Sequence, residues 1–348
     1  MMNDMNVGEM LAESLERLLS SAVTRDSLLK LEAGELDMRL WHSCANMGLL
    51  LALVPEEAGG SGMSWADIEL PLRVLGRHLS PLPIGESMIA AHALAEAGME
   101  VPCGIVAIIE DKLTLTSGGR LSGSAINVPW GSCGEYGIAL AERDNESYIC
   151  VFNMEETTRM AQETYGRIPT ANVTFDHVST LERTAVAPSV FGELGLLPRI
   201  AALRVAQIAG ALAGVLDLCV EYANLRVQFG RPIGKFQAIQ QMIAELAAEI
   251  AAAQSAAAFA CQRLDEHDGI RGAMVAKARA SRAAGRAAQI AHQIFGAIGV
   301  TDEHMLHYFT RRLWQWRSEA GSEHWWSEQL GRYILDGDFD LWESIAHR

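Results

Sequence analysis

The side chains best placed to do chemistry lie between Tyr222 and Gln237, in the run YANLRVQFGRPIGKFQ at the junction of two alanine-rich helical stretches. An apolar helix that stops at Gly-Arg-Pro-Ile-Gly, followed by a second that restarts, holds Arg226, Gln228 and Gln237 near one corner. A guanidinium and two amides at a helix corner can grip a phosphate or a polar ring. A helix-turn-helix carrying a surface arginine would show the same residues, so the motif alone leaves both readings open. Two further clusters are weaker. His304 and His307 stand three apart with Asp302 and Glu303 beside them, a spacing that can seed a metal site, but no third ligand with partner spacing follows and no metal is expected. Arg279, Arg282 and Arg286 form a helical stripe able to touch a phosphate, or simply a solvated face.

These residues need helices to carry them. Apolar spacing of three and four predicts helices over Val7–Leu19, Ser27–Ala33, Glu35–Met47, Trp65–Leu79 and Gly85–Ala97, broken at Ala58–Gly62 and Ser80–Pro83. From Val101 the period changes to two, and short strands are expected over Gly104–Ile109, Lys112–Thr116, Tyr136–Ala141, Tyr148–Phe152 and Ala171–Val178. Past Gly192 helices return, over Leu196–Leu225, Phe236–Glu266 and Ile270–Phe295. The second carries a stripe of Ile239, Ile243, Leu246 and Ile250, as in a bundle. Small residues at Ala206–Gly214 and Ala251–Ala260 permit close helix approach, inside the chain or between copies.

A chain with 49% hydrophobic residues is long enough for a large core or several coupled domains. Its net charge of -15 and lack of a basic run make nucleic acid and anionic membranes unfavourable partners. Met1–Met5 has no basic start, and the longest apolar run, Met47–Pro55, is too short to span a bilayer, so a cytoplasmic location is expected. Six cysteines without a Cys-x-x-Cys pair argue against zinc and against a disulfide framework.

The pattern Arg-x-x-Phe-Gly-x-Pro-Ile-x-x-Phe-Gln at 226–237 resembles the signature of the acyl-CoA dehydrogenase family. HQIFGAIG at 292–299 is similar to that family's Gln-Ile-x-Gly-Gly-x-Gly turn. The order helices, strands, helices fits as well, so the resemblance covers nearly the whole chain. It implies an N-terminal helical domain (1–100), a small central antiparallel β domain (101–188) and a C-terminal four-helix-type bundle (189–348). It also implies FAD held between subunits, an acyl-CoA substrate oxidised at its alpha and beta carbons, a carboxylate base, and an electron-transfer acceptor. In such a site one chain covers the flavin ring with its β domain. Its neighbour supplies the arginine corner, here Arg226 facing phosphate, Phe229 near the flavin, and Gln228, Phe236 and Gln237 beside them. The neighbour also supplies the adenosine-side turn, here Gln293, Ile294, Phe295, Gly296 and Ala297, with Ala297 replacing the second glycine.

The other half of that site departs from the family. Its Thr-Glu-Pro-x-x-Gly-Ser-Asp segment is missing where Ile108-Ile109-Glu110-Asp111 runs straight into Lys112-Leu113-Thr114. Ser124–Trp130 stands where Lys-x-Trp-Ile-Thr belongs. The usual base position falls on Ala320, flanked by Glu319 and Glu323, and Leu196–Leu203 offers Arg199 but no acid. The resemblance therefore implies a subunit of a heteromeric acyl-CoA dehydrogenase, like the truncated partner chains of α2β2 enzymes acting on steroid or other bulky thioesters. Such a chain brings Arg226 and the Gln293 turn to a partner that carries the glutamate. The alternatives are a self-sufficient homo-oligomer with Glu319 as base, or a catalytically silent helical binding or scaffold relative.

Overall fold

The structure is a computed structural model that describes residues 6–186 and 191–336; the expected junction near residue 188, the start Met1–Met5 and the tail 337–348 lie outside the described residues. Helices α1 (Val7–Ala22), α2 (Arg25–Glu32), α3 (Met38–Asn46), α4 (Trp65–Arg77) and α5 (Ile84–Glu96) lead into strands β1 (Val106–Leu115), β2 (Arg120–Pro129), β3 (Tyr136–Arg143), β4 (Glu146–Asn153), β5 (Thr158–Gln162) and β6 (Thr170–Val186). Helix α6 (Leu197–Leu225) follows, then the two-residue strands β7 (Val227–Gln228) and β8 (Arg231–Pro232). Helices α7 (Gln237–Asp265), α8 (Gly269–Phe295), α9 (Leu306–Ser318) and α10 (Glu323–Asp336) complete the chain.

The helices start where their capping residues say they should. Asn6 and Asp37 side chains accept N–H groups of the first turns of α1 and α3, and Thr24 with Ser27 and Ser64 with Asp67 form reciprocal capping boxes. Helix α4 has a second cap from far along the chain: the Asp265 carboxylate accepts from Trp65 N at 2.8 Å and Ala66 N at 2.9 Å. A negative charge at that end also suits the helix dipole and ties the N-terminal helices to the C-terminal ones.

Strand order is β2-β1-β3-β4-β6-β5, with β2 also paired to β6. The long β6 makes this closure by pairing β2 through its first half and β4 through its second. The sheet is antiparallel apart from one pair, since β1 and β3 run parallel; a crossover through β2 returns the chain in the same direction. Alternate residues such as Leu113, Leu121, Phe152, Val173 and Phe175 fill its own core. The β1–β3 ladder is interrupted between Ile109 and Leu113, so Glu110, Asp111 and Lys112 leave the regular pairing.

Residues of α1, α3, α4 and α5 share one hydrophobic core with α6 to α10. Helix α6 is its axis. By length and composition both α6 and α7 are apolar enough to cross a membrane, a feature that the apolar run at Met47–Pro55 does not reveal, but 72% of the α6 window is buried inside the fold. Its small residues do what their size permits. At Gly210 an added Cβ would overlap the carbonyl of Arg73 on α4, and at Gly76 it would overlap the Gln207 carbonyl on α6, so the two backbones touch. A Gly210→Ala substitution is therefore expected to lower stability by roughly 1–3 kcal/mol or more through overpacking, read by chemical denaturation; an unchanged midpoint would show that the two helices separate without cost.

Candidate functional site

The arginine corner forms as a small hairpin. Strands β7 and β8 pair Val227 with Pro232 and Gln228 with Arg231, and the turn between them uses positive φ at Phe229 (51°) and Gly230 (79°), the conformation tight two-residue turns require. Helix α6 ends with Arg226 N donating to the Tyr222 carbonyl. Arg226, Gln228 and Gln237 are exposed, and Phe229 is 93% exposed at the tip. Phe229 packs edge-on against Phe236, whose ring also carries the Arg231 guanidinium at 4.3 Å. No ion pair or hydrogen bond among the described residues engages the Arg226 guanidinium.

The 293–297 turn lies against this corner. Tyr222, one turn before Arg226, stacks on Phe295 with centroids 4.2 Å apart and donates its hydroxyl to the Phe295 carbonyl at 3.5 Å. Ile294 and Phe295 are buried, whereas Gln293, Gly296 and Ala297 are exposed. Gly296 takes φ 63° and caps α8. Ala297 lies beyond the strained position, so its methyl group does not conflict with the turn.

Glu319 and Ala320 lie elsewhere. They border a cleft of about 860 Å³ whose walls are Ile108, Glu110, Asp111 and Ile126–Pro129 from the sheet, Glu163–Tyr165 and Arg167 from the β5–β6 connection, and Gln315 with 318–321 below. Lys277, under this turn, and Phe295, at the corner, are 18 positions apart on α8, which at ~1.5 Å per residue separates cleft and corner by roughly 27 Å. One chain thus presents a corner and a cleft that do not meet.

The cleft floor is a buried charge network that motif reading missed. Arg204 on α6 is 1% exposed; it donates to Glu86 on α5 at 2.7 Å and to Gln207 at 2.8 Å, and its Nε lies 2.6 Å from Glu319 Oε2. Glu319 also accepts from the Gln315 amide. Its carboxylate is thereby fixed at the cleft floor and is a poor candidate for a free base. Trp130 is a core residue here, packed with Leu31 and Ile168, and donates to Glu86 at 3.0 Å. The signal that could have exposed this network is Arg204 with Gln207 one turn on, two polar residues in the otherwise apolar Ile200–Ala211 run.

Ala320 is buried with φ 52°, and its carbonyl accepts from Trp326 Nε1 at 2.7 Å. Lys277 holds the turn from below, donating to the carbonyls of Gly321 (2.9 Å) and Arg317 (3.1 Å) and to Ser281 Oγ (3.3 Å). The remaining candidates are engaged within the fold. Arg279 pairs with Glu249 and Arg286 with Glu245 on α7, and Arg282 pairs with Glu323. His307 Nδ1 meets the His304 carbonyl and His304 Nδ1 accepts from Leu306 N. No group of three or more metal-ligating residues occurs among the described residues.

Corner and cleft differ in what they fit. The corner offers a free guanidinium and two exposed side-chain amides, a donor set suited to a dinucleotide's diphosphate. The cleft lining carries Glu110, Asp111, Glu163 and Glu319 against one cation, Arg167, which is paired with Glu32 at 3.1 Å. A reduced flavin is anionic at N1 and does not suit that wall.

Burial pushes the Lys277 ammonium down to about 7, with Arg204 and Arg317 acting in the same direction and Glu319 and Glu110 opposing. A folded-state value below the ordinary lysine range means that the unfolded chain binds more protons above pH 7, so this residue makes stability rise with pH from about 7 toward 10. Between pH 7 and 9 the gain is expected to be about 2 kcal/mol, measured by denaturation, and absent in Lys277→Met.

Comparison with known proteins agrees with this architecture. The family model for the acyl-CoA dehydrogenase N-terminal domain matches residues 8–101, and that for the C-terminal domain matches residues 197–334. The acyl-CoA dehydrogenase IpdE2 of Mycobacterium tuberculosis is 29% identical over 277 residues, covering 79% of this chain and 80% of that protein. Among solved structures, a variant of the Tcur3481-Tcur3483 steroid ACAD superposes with TM-score 0.85 at 25% identity, covering 94% of this chain and 97% of its own. The ChsE4-ChsE5 complex from Mycobacterium tuberculosis gives TM-score 0.87 at 21% identity, covering 97% and 99%. Two domain models on either side of the sheet, with relatives spanning most of the length, make this chain a member of the acyl-CoA dehydrogenase family of FAD-dependent oxidoreductases.

Proposed function

We propose that this chain is one subunit of an FAD-dependent acyl-CoA dehydrogenase that desaturates an acyl-CoA thioester between its alpha and beta carbons. In this reading it lends its arginine corner to a flavin lodged in a partner chain, and the partner carries the catalytic glutamate. The observation that carries the reading is the separation of an intact, outward-facing corner from an acidic cleft with alanine at the base position. Two structural relatives, a variant of a steroid ACAD and a complex of two components, favour a bulky acyl group and a heterotetramer.

FAD, when bound, supplies the hydride acceptor. The residues of this chain bind and enclose it. Arg226 would hold the diphosphate with Gln228 and Gln237 as donors beside it, and the exposed turn at Gly296 and Ala297 would take the adenosine side. Phe229 and Phe236 cover apolar ring surface and keep water from the junction. A self-sufficient enzyme using Glu319 is disfavoured because that carboxylate already sits on Arg204 and Gln315.

The test is co-production with the partner chain and a visible spectrum of the purified complex. The complex is expected to be yellow and reducible by an acyl-CoA, with Arg226→Ala lowering its flavin content at least tenfold while the isolated chain keeps its melting temperature, since Arg226 is exposed. A chain that alone binds FAD and is reduced by an acyl-CoA would overturn the proposal.

A further inference from the structure

Two carboxylates of this chain's own cleft, Glu110 and Glu163, have no hydrogen bond or ion pair among the described residues, and Glu110 is the one that a break in the sheet presents between two hollows. Pairing of β1 with β3 stops at Ile109–Ala139 and resumes at Leu113–Ala141, and the residues between are re-aimed away from the ladder. Of these, Asp111 accepts from Ile126 N at 3.2 Å and Lys112 pairs with Glu142 at 2.8 Å. Glu110 has no hydrogen bond or ion pair among the described residues. It borders both the 860 Å³ cleft and a second hollow of about 330 Å³ between β3 and residues 192–197.

The charges around it are largely used elsewhere. Arg204 serves Glu86 and Glu319, Lys277 serves the turn carbonyls, and Arg167 serves Glu32; Asp111, Glu163, Glu193 and Glu142 add negative charge around the two hollows. Enclosure by protein pushes the Glu110 carboxyl up to about 7, opposed by Arg204, reinforced by Glu319, then opposed by Lys277 and reinforced by Asp111. Yet the residue is exposed to the hollows, and water there screens the effect. A ligand seated against Ile108, Ile126 and Val128 expels that water, and loss of solvent raises the carboxyl further above the ordinary glutamate range.

We propose that Glu110 is the acid–base residue of this chain's own cleft, and that an acyl thioester bound there takes up one proton from solvent onto the Glu110 carboxylate. The resulting carboxylic acid donates a hydrogen bond to the thioester carbonyl, and no covalent bond of the ligand changes. The ligand class rests on the family's substrate, while the site is separate from the corner lent to the partner.

The sign follows from linkage. A group that binds its proton more tightly in the complex than in the free protein makes ligand affinity fall as pH rises from the ordinary glutamate range toward 7 and level off above it. The full chain is titrated calorimetrically with octanoyl-pantetheine, which keeps the thioester and has no phosphates to titrate, in buffers of different ionisation enthalpy. Expected are close to one proton taken up per ligand at pH 6, and binding about tenfold weaker at pH 8 than at pH 6. Glu110→Gln, an isosteric change at an exposed bulge, should bind with no uptake and one affinity at both pH values. Uptake that persists in Glu110→Gln, or binding by the unsubstituted chain without uptake, overturns the proposal. Absence of binding overturns it as well, and leaves the lending of the arginine corner to be judged separately by the flavin content of the complex.

Discussion

A guanidinium removed from water must find its compensation in the fold, and Arg204 draws its acceptors from separate parts of the chain. Glu86 comes from α5, Glu319 from the turn between α9 and α10, and Gln207 from the next turn of α6 itself. The β layer joins through Trp130, which shares the Glu86 carboxylate. Helical N-terminal layer, sheet and C-terminal bundle therefore meet at one charge. Removing either carboxylate would leave a buried cation short of a partner, a change that typically costs about 3–5 kcal/mol. Such a centre is also specific, because only one relative placement of the layers satisfies all its acceptors.

The same network decides what the cleft can do. A turn that presents a base to a substrate needs its carboxylate unpaired and aimed inward. Here the turn keeps its left-handed bend, its Trp326 hydrogen bond and its Lys277 clamp, but Ala320 occupies the bend and the adjacent Glu319 is bonded downward to Arg204. The bend is kept without an unpaired carboxylate on it. The unpaired carboxylates left at the surface of the cleft come from outside the turn: Glu110, placed there by a break in the β1 ladder, and Glu163 from the β5–β6 connection.

Much of the fold was legible in the sequence because its helices obey local rules. The periodicity at Leu196–Leu225, Phe236–Glu266 and Ile270–Phe295 matches α6, α7 and α8 to within a few residues, since uninterrupted apolar spacing and the Gly-Arg-Pro-Ile-Gly break are local signals. The strands were harder. β2 and β5 carry exposed residues such as Arg120, Ile126 and Met160 and owe their existence to pairing with β6, while the parallel register of β1 and β3 depends on a crossover that no short window contains. The corner was legible as a motif because Arg226 to Gln237 is contiguous. The Arg204 network was not, because Glu86, Arg204 and Glu319 are more than a hundred residues apart from one another and each alone resembles an ordinary helix charge. The Arg279, Arg282 and Arg286 stripe shows the converse: evenly spaced cations that suggest a ligand face instead pair with carboxylates on neighbouring helices.

Helix α8 turns these local arrangements into a constraint on assembly. One end lies under the cleft through Lys277 and the other stacks Phe295 beneath the corner through Tyr222, and a helix of this length is too stiff to bring its ends together. An exposed aromatic tip such as Phe229 beside an unpaired arginine is costly to leave in water and gains most when covered by another surface. Two chains related by an approximate two-fold axis, each placing its corner over the other's cleft, would satisfy both ends of α8 at once. If one of the two carries alanine at its turn, as this chain does at Ala320, the pairing stays sterically sound, because corner and cleft lie at opposite ends of α8 and a change at one leaves the other in place.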